Sequence, residues 1–444
     1  MSSQNIPKMK FDSTKILLIA ITIILLDFMF RDIIFDYELS IILKFRGFYE
    51  NQMFYNFWKF VLVFTEIRYI KVYWIILYMY SDPMIAFKTG MLTYAAIYSI
   101  TNLKILYAIP RPFWIESEID TDLCRLDFSG PSDHMCVGSF FYTYVILLYF
   151  YKYAKHKNYI MISMLFTMSW TLLLLTSFAL FVLGQTFLFE STVGMIYSTL
   201  FAIVCLSMDS IIQSYCEIVS FNIYKSRRYK FTAMFIWIGI LIWNVIHMRF
   251  TSNNYRISHQ WVQAPCILED GFKYKIGIEY SFLDLSIIFT MIGAIFGAAF
   301  ANTHVDNFLM RESSTPQRLI RTMIGLAIIT VFSESMQSID PDNYTSEFLF
   351  KMALPNFMTA YFVYGLFPCT WEYLGLINRD DEETETERSV SDSYEVEDGS
   401  QTYTQGGSSN SRLVLWLQVE GLRIILNLSL LIIPVKILIN FIDI

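Results

Sequence analysis

Apolar residues run along this chain in long stretches broken by short polar connections, without the alternation of a half-buried strand or the single stripe of a soluble helix. A membrane-spanning helix needs about 20 predominantly apolar residues, and about eleven stretches approach or reach that length. They lie near 15–35, 54–79, 84–103, 136–152, 159–182, 188–213, 231–249, 281–301, 320–335, 348–370 and 413–440, the ninth being short. This pattern predicts an all-α, polytopic membrane bundle. The first stretch follows Lys8, Lys10 and Lys15 like a signal peptide, but no small-residue cleavage site follows it, so a retained helix is expected.

Composition agrees. Of 444 residues, 55% are hydrophobic and 16% charged, against about 25% charged in soluble domains. The net charge of −7 is concentrated in one place. Residues 379–400 hold ten Asp or Glu against two Arg, which leaves the remainder close to neutral. That stretch runs on into Gly406-Gly407-Ser408-Ser409-Asn410-Ser411 and has too few apolar residues for a core, so it reads as a solvated, disordered loop. Six cysteines show no CxxC spacing, which argues against a zinc or redox motif. Cys124 and Cys266 fall in loops expected on one side, which leaves a disulfide between them open.

Positive loops set the orientation. Lys152, Lys155 and Lys157, then Lys225, Arg227, Arg228 and Lys230, then Arg311, Arg318 and Arg321 alternate onto one side with the N-terminus and the acidic loop. That side is expected to be cytosolic. The connection from Lys104 to His134 then faces the lumen, as does the glycosylation acceptor Asn343-Tyr344-Thr345.

That lumenal connection carries the candidate chemistry. Lys104 closes the third stretch and Arg111 follows seven residues later, between Pro110 and Pro112, which stop the helix and stiffen the backbone. Arginine offers a planar fork of donors to phosphate oxygens, and lysine a point charge. Ser132 adds a hydroxyl, and His134 opens the next helix, whose free N–H groups favour an anion. A lysine and an arginine snorkelling at a helix end are the bland alternative.

Lys104…Arg111-Pro112 and Pro131-Ser132-Asp133-His134 resemble the first two signatures of the type 2 phosphatidic acid phosphatase (PAP2) superfamily, K-x6-R-P and P-S-G-H, with Asp133 in place of Gly. Glu66-Ile67-Arg68 and the nine stretches from 54 to 370 look most like the glucose-6-phosphatase branch, and sphingosine-phosphate phosphatases are the competing match. The resemblance implies a six-helix core and metal-independent chemistry without a cofactor. In it a third-motif His attacks phosphorus and the P-S-G-H histidine, here His134, protonates the leaving group. Lys104, Arg111 and Ser132 would hold the phosphate.

The third motif is degenerate. Its best register, 179–190, puts Ala179 at the Ser, Leu180 at the Arg, Thr186 at the nucleophilic His and Glu190 at the orienting acid, closing at Gly194. In any register, no His occurs between His156 and His247 and no Arg between Arg125 and Arg227. Asp133 also sets a carboxylate beside the anion. His247 and His259 lie near lumenal ends and read as polar helix-end or loop histidines, with a stand-in nucleophile as the alternative. His156 and His304 fall on the other side.

The expected layout is a cytosolic segment 1–14, a PAP2-like core 15–215, an additional bundle 216–370, an acidic loop 371–412 and a final helix 413–444. The leading expectation is a catalytically impaired protein of an endomembrane such as the endoplasmic reticulum. It would hold a phosphorylated small molecule or lipid head group, with an active relative as a candidate partner. No nucleic acid is expected. The alternatives are an active phosphatase with an atypical nucleophile, and a transporter or structural protein on the same scaffold.

Overall fold

The computed structural model describes residues 13–45, 52–80, 83–116, 118–119, 124–153, 159–216, 277–301, 314–337 and 347–376, with scattered residues between 235 and 247. Expectations for Asn343, the acidic stretch, the final helix, His156, His259, His304 and Cys266 lie outside these residues. Among the described residues there is no strand, and the chain is all-helical. It begins with α1 Ser13–Lys44, α2 Gln52–Val63, α3 Ile67–Tyr80, α4 Pro83–Tyr107 and the short α5 Pro112–Ile115. Then come α6 Asp133–Tyr153, α7 Tyr159–Val182 and α8 Leu188–Ser207. Later elements are α9 Ile278–Asp284, α10 Ile288–Ala301, α11 Thr315–Gln337, α12 Leu354–Tyr361 and α13 Phe367–Tyr373.

Among the described residues, three helices, Ile160–Val182, Leu188–Ser207 and Ile278–Ala301, are long and apolar enough to cross a membrane, as expected of a membrane protein. The stretch at 54–79, read from hydropathy as one span, is two helices. α2 ends at Val63, and α3 starts after Thr65 and Glu66, where the Glu66 carbonyl accepts the N–H groups of Tyr69 and Ile70. Thr65 and Glu66 in the break and Arg68 just after it form a polar interruption too short for a hydropathy window of about 19 residues to register.

The helices α4, α6 and α8 form the centre, with α7 packed on α6 and α2 on α7. Phe140, Tyr144, Ile97 and Ala202 are buried there in one core with Trp74 of α3. The later helices join this core through Tyr364, whose ring meets Trp74, Tyr78 and Phe87 at 5.2, 4.5 and 4.9 Å. α10 and α12 approach closely because Gly293 faces the Phe357 carbonyl and Gly297 the Tyr361 carbonyl, where a Cβ would collide or crowd. Small residues four apart permit such backbone contact between membrane helices.

One charged pair sits inside this bundle. Lys88 of α4, 3% exposed, donates to the Asp209 carboxylate, which also accepts the Tyr144 hydroxyl at 3.2 Å. It lies about four and a half turns along α4 from Lys104, too far to join the cluster described next.

Candidate functional site

The end of α4 delivers the first cation. Its last turn closes through Ala108 N–H to the Lys104 carbonyl at 2.8 Å, and Ala108 adopts φ 50°, the left-handed conformation that ends helices. Pro110 and Pro112 then prevent the helix from resuming. Arg111, held by the following proline, is extended at φ −74° and ψ 150° and turns its side chain inward.

The Arg111 guanidinium is 0% exposed and fully engaged. Nη2 donates to Asp127 Oδ1 at 2.8 Å and to the Phe128 carbonyl at 3.3 Å. Nε donates to the Asp127 carbonyl and Nη1 to the Gln185 carbonyl, each at 2.8 Å. Lys104, 1% exposed, donates to Asp127 Oδ2 at 2.8 Å and pairs with Asp133 Oδ1 at 2.9 Å. A third cation, Arg125, closes the ring, with Nη2 on Asp133 Oδ2 at 2.9 Å and Nε 3.4 Å from Asp127 Oδ1. Two carboxylates therefore sit among three cations. Burial alone would raise the Asp127 pKa, but Arg111, Arg125 and Lys104 outweigh it and hold this carboxyl well below the usual carboxylate range.

The second motif borders this cluster. Asp133 opens α6, where a negative side chain suits the helix dipole. Ser132 is fully buried and His134 is 8% exposed, and neither Ser132 Oγ nor His134 Nδ1 has a hydrogen-bond partner among the described residues. His134 lies within electrostatic reach of Asp133, Arg125, Lys104 and Arg111.

The turn from α7 into α8 forms the opposite wall. Gly184, at φ 63°, reverses the chain so that the Gln185 carbonyl meets Arg111. The hydroxyl of the next residue, Thr186, is buried 3.1 Å from that of Ser191. Glu190 reaches back to the Phe187 N–H at 3.2 Å, as a capping residue does, accepts the Ser129 hydroxyl on the same oxygen, and takes the Ser132 N–H on its carbonyl at 3.3 Å. Gly194 permits this approach, since a Cβ there would lie 2.7 Å from the Ser132 carbonyl oxygen.

Two outside elements complete the surroundings. Glu38 of α1 accepts the Leu188 N–H at 2.6 Å and the Phe189 N–H at 3.1 Å, filling the start of α8 with a carboxylate. The start of α9 clasps the Asp127 segment: Gly277 N–H donates to the Leu126 carbonyl at 2.7 Å, and Phe128 N–H to Ser281 Oγ at 3.1 Å. Cys124, three residues before Asp127, is disulfide-bonded, while Cys136, Cys205, Cys216 and Cys369 are free.

The structure thus joins Lys104 and Arg111 through Asp127, sets His134 within electrostatic reach of both, and holds Ser132 by its N–H on the Glu190 carbonyl, in the wall that also bears Thr186. Sequence reasoning missed Asp127, Arg125, Gln185 and Glu38. Arg125 and Asp127 were visible as opposite charges in the loop before the second motif. Glu38 and the Gln185 carbonyl carry no such signal. The His247 ring lies 5.4 Å from that of Phe282 and stacks on Trp243 at 6.3 Å. No group of three or more His, Cys, Asp or Glu among the described residues converges as metal ligands would.

No curated protein and no solved structure matches the chain. A family model does: residues 85–213 match the PAP2 superfamily. The matched residues run from α4 through α8 and contain the three cations, both carboxylates, the second-motif turn and the Thr186 wall. The chain therefore carries a PAP2 superfamily domain over residues 85–213.

Proposed function

We propose that this protein is a catalytically impaired PAP2-type integral membrane protein that keeps the phosphate-facing half of the site. Lys104, Arg111 and Ser132 are its phosphate-binding residues, and His134 stands where the general acid would. The observation that carries this reading is the convergence of Lys104 and Arg111 on one carboxylate beside Ser132 and His134, opposite a turn whose reactive-position side chain is the Thr186 hydroxyl.

Phosphoryl transfer through a covalent enzyme adduct needs a strong nucleophile facing the acid. A threonine hydroxyl is neutral and needs its own base. The carboxylate nearest in sequence, Glu190, stands at the orienting-acid position, and its Oε2 already accepts from Phe187 N–H and Ser129. The missing third-motif arginine removes a charge clamp worth about 3–4 kcal/mol in transition-state stabilisation.

The site is assigned to the lumenal face of the endoplasmic reticulum or another endomembrane, with the N-terminus cytosolic, on the positive-loop pattern. Within the superfamily the chain is placed nearest the glucose-6-phosphatase branch on Glu66-Ile67-Arg68. Its ligand class is a phosphorylated small molecule or lipid head group, and an active relative is its proposed partner.

Full-length protein in detergent, given glucose-6-phosphate or lipid phosphates with and without vanadate, tests this. The expected result is no turnover and no acid-labile phosphoenzyme. Turnover that disappears in His134→Ala, with such an adduct, would overturn impairment and favour an active phosphatase with an atypical nucleophile. Phosphate binding indifferent to Arg111→Ala would remove the half-site and favour a transporter or structural role.

A further inference from the structure

The cluster around Lys104 has the contact pattern of a cradle holding an oxyanion, and the oxyanion belongs to the protein. A single Asp127 carboxylate takes Lys104 on one oxygen at 2.8 Å and Arg111 on the other at 2.8 Å, with Arg125 at 3.4 Å. Asp133 bridges Lys104 and Arg125 at 2.9 Å each. Three cations against two carboxylates leave one positive charge over, and hydrogen bonding is incomplete as well. Ser132 Oγ and His134 Nδ1 stay unpartnered among the described residues although both side chains are more than nine-tenths buried. Leaving such groups unsatisfied is costly. A carboxylate has two oxygens, whereas a tetrahedral oxyanion has enough acceptors to serve the cations and Ser132 together.

We propose that Asp127 is an internal, displaceable ligand of this cradle, and that a tetrahedral oxyanion such as inorganic phosphate binds by driving its carboxylate off Lys104 and Arg111. The proposal rests on the half-site reading above and assigns the control of that site. Asp127 is the carboxylate suited to leave. Asp133 is fixed in the first turn of α6, whereas Asp127 lies in the connection between α5 and α6. Its segment is held by the Leu126 carbonyl to Gly277 and by Phe128 N–H to Ser281 of α9. Displacement therefore loosens the clasp to α9, so occupancy of the cradle is communicated to the helices beyond the PAP2 domain. Arg125, whose side chain is 30% exposed, is the cation an incoming anion meets first.

An internal competitor weakens apparent affinity by the fraction of time the cradle is open. An open fraction of about 10% or less predicts a gain of about tenfold or more when Asp127 is neutralised. The experiment titrates inorganic phosphate into full-length wild type, Asp127→Asn and Asp127→Asn/Arg111→Ala in detergent by calorimetry. In parallel, amide hydrogen exchange of residues 126–129 is followed in wild type with and without saturating phosphate. Expected are tighter binding by about tenfold in Asp127→Asn, its loss in the double variant, and faster exchange at 126–129 when phosphate binds wild type. Equal binding by wild type and Asp127→Asn, with unchanged exchange, would overturn the displaceable ligand and leave the half-site standing. No binding by either protein at any soluble phosphate concentration would overturn the half-site itself. If Asp127→Asn does not fold, the wild-type exchange result decides alone: acceleration supports displacement, and phosphate binding without it refutes displacement.

Discussion

Arg111 holds Asp127 by two of its atoms at once, with Nη2 on the carboxylate oxygen and Nε on the same residue's carbonyl, both at 2.8 Å. This double grip, with Arg111 fully buried, fixes the loop between α5 and α6 onto the end of α4.

Removing Arg111 leaves the buried Asp127 and Gln185 carbonyls without their donor and the Asp127 carboxylate with only Lys104 and the more distant Arg125. Arg111→Met is expected to lower unfolding stability by about 3–5 kcal/mol. Arg111→Met/Asp127→Asn should recover part of that loss, giving a coupling energy of about 1–3 kcal/mol in a double-mutant cycle. Arg111→Lys should recover little, since one ammonium cannot serve the Asp127 carboxylate, the Asp127 carbonyl and the Gln185 carbonyl in fixed directions. Denaturation in detergent reads all three, and additive effects would contradict direct pairing.

The pH response has a definite sign. The folded-state pKa of Asp127 is depressed by Arg111, Arg125 and Lys104 against the raising effect of burial. Its ionised form is therefore favoured in the folded protein. The resulting stability is complete above the ordinary value of 3.8 and is lost as pH falls below it toward the depressed folded value. Unfolding midpoints of wild type and Asp127→Asn should differ by a constant amount at higher pH and converge below 3.8. A gap that persists through that acid window would show that the carboxylate charge is not the source of the difference.

Gly194 is needed for space, since a Cβ there would meet a backbone oxygen of Ser132 at 2.7 Å and no side chain could swing away to relieve it. Gly194→Ala is expected to push α8 from the second-motif turn and cost about 1–3 kcal/mol. A crystal structure or exchange data showing the Ser132 N–H to Glu190 carbonyl bond intact at unchanged stability would refute this.

Glu38 links α1 to the start of α8 through the N–H groups of Leu188 and Phe189. Glu38→Ala removes a cap worth about 0.5–2 kcal/mol. Amide exchange at residues 188 and 189 should rise while that within α6 stays unchanged. Glu38→Gln should retain part of the protection, because its carbonyl oxygen still accepts.

Part of this site is legible in the chain. The proline pair around Arg111 announces the end of α4 and the extended backbone that follows, because proline restricts its own φ and the residue before it. Gly184 in the predicted third-motif register supplies the positive φ of the α7–α8 turn. Other features were harder to read. The break between α2 and α3 is marked only by Thr65, Glu66 and Arg68, too short a polar interruption to split an apolar run. Gly293 and Gly297 read as ordinary small residues until Phe357 and Tyr361 are set against them.

Local rules acting along the chain determined a helical membrane protein, the residues that end its helices, a Lys104, Arg111, Ser132 and His134 set, and two helices, α7 and α8, without a histidine. Those rules depend on runs of apolar residues, backbone restriction and residue type, all readable one neighbour at a time. The partners of the cations were decided only by folding. Asp127 lies 23 residues from Lys104 and 16 from Arg111, in a polar loop where a carboxylate looks solvated. Charge attraction sets no register along a sequence, and only the packing of α9 and the α7–α8 turn around that loop buries the carboxylate where both cations reach it.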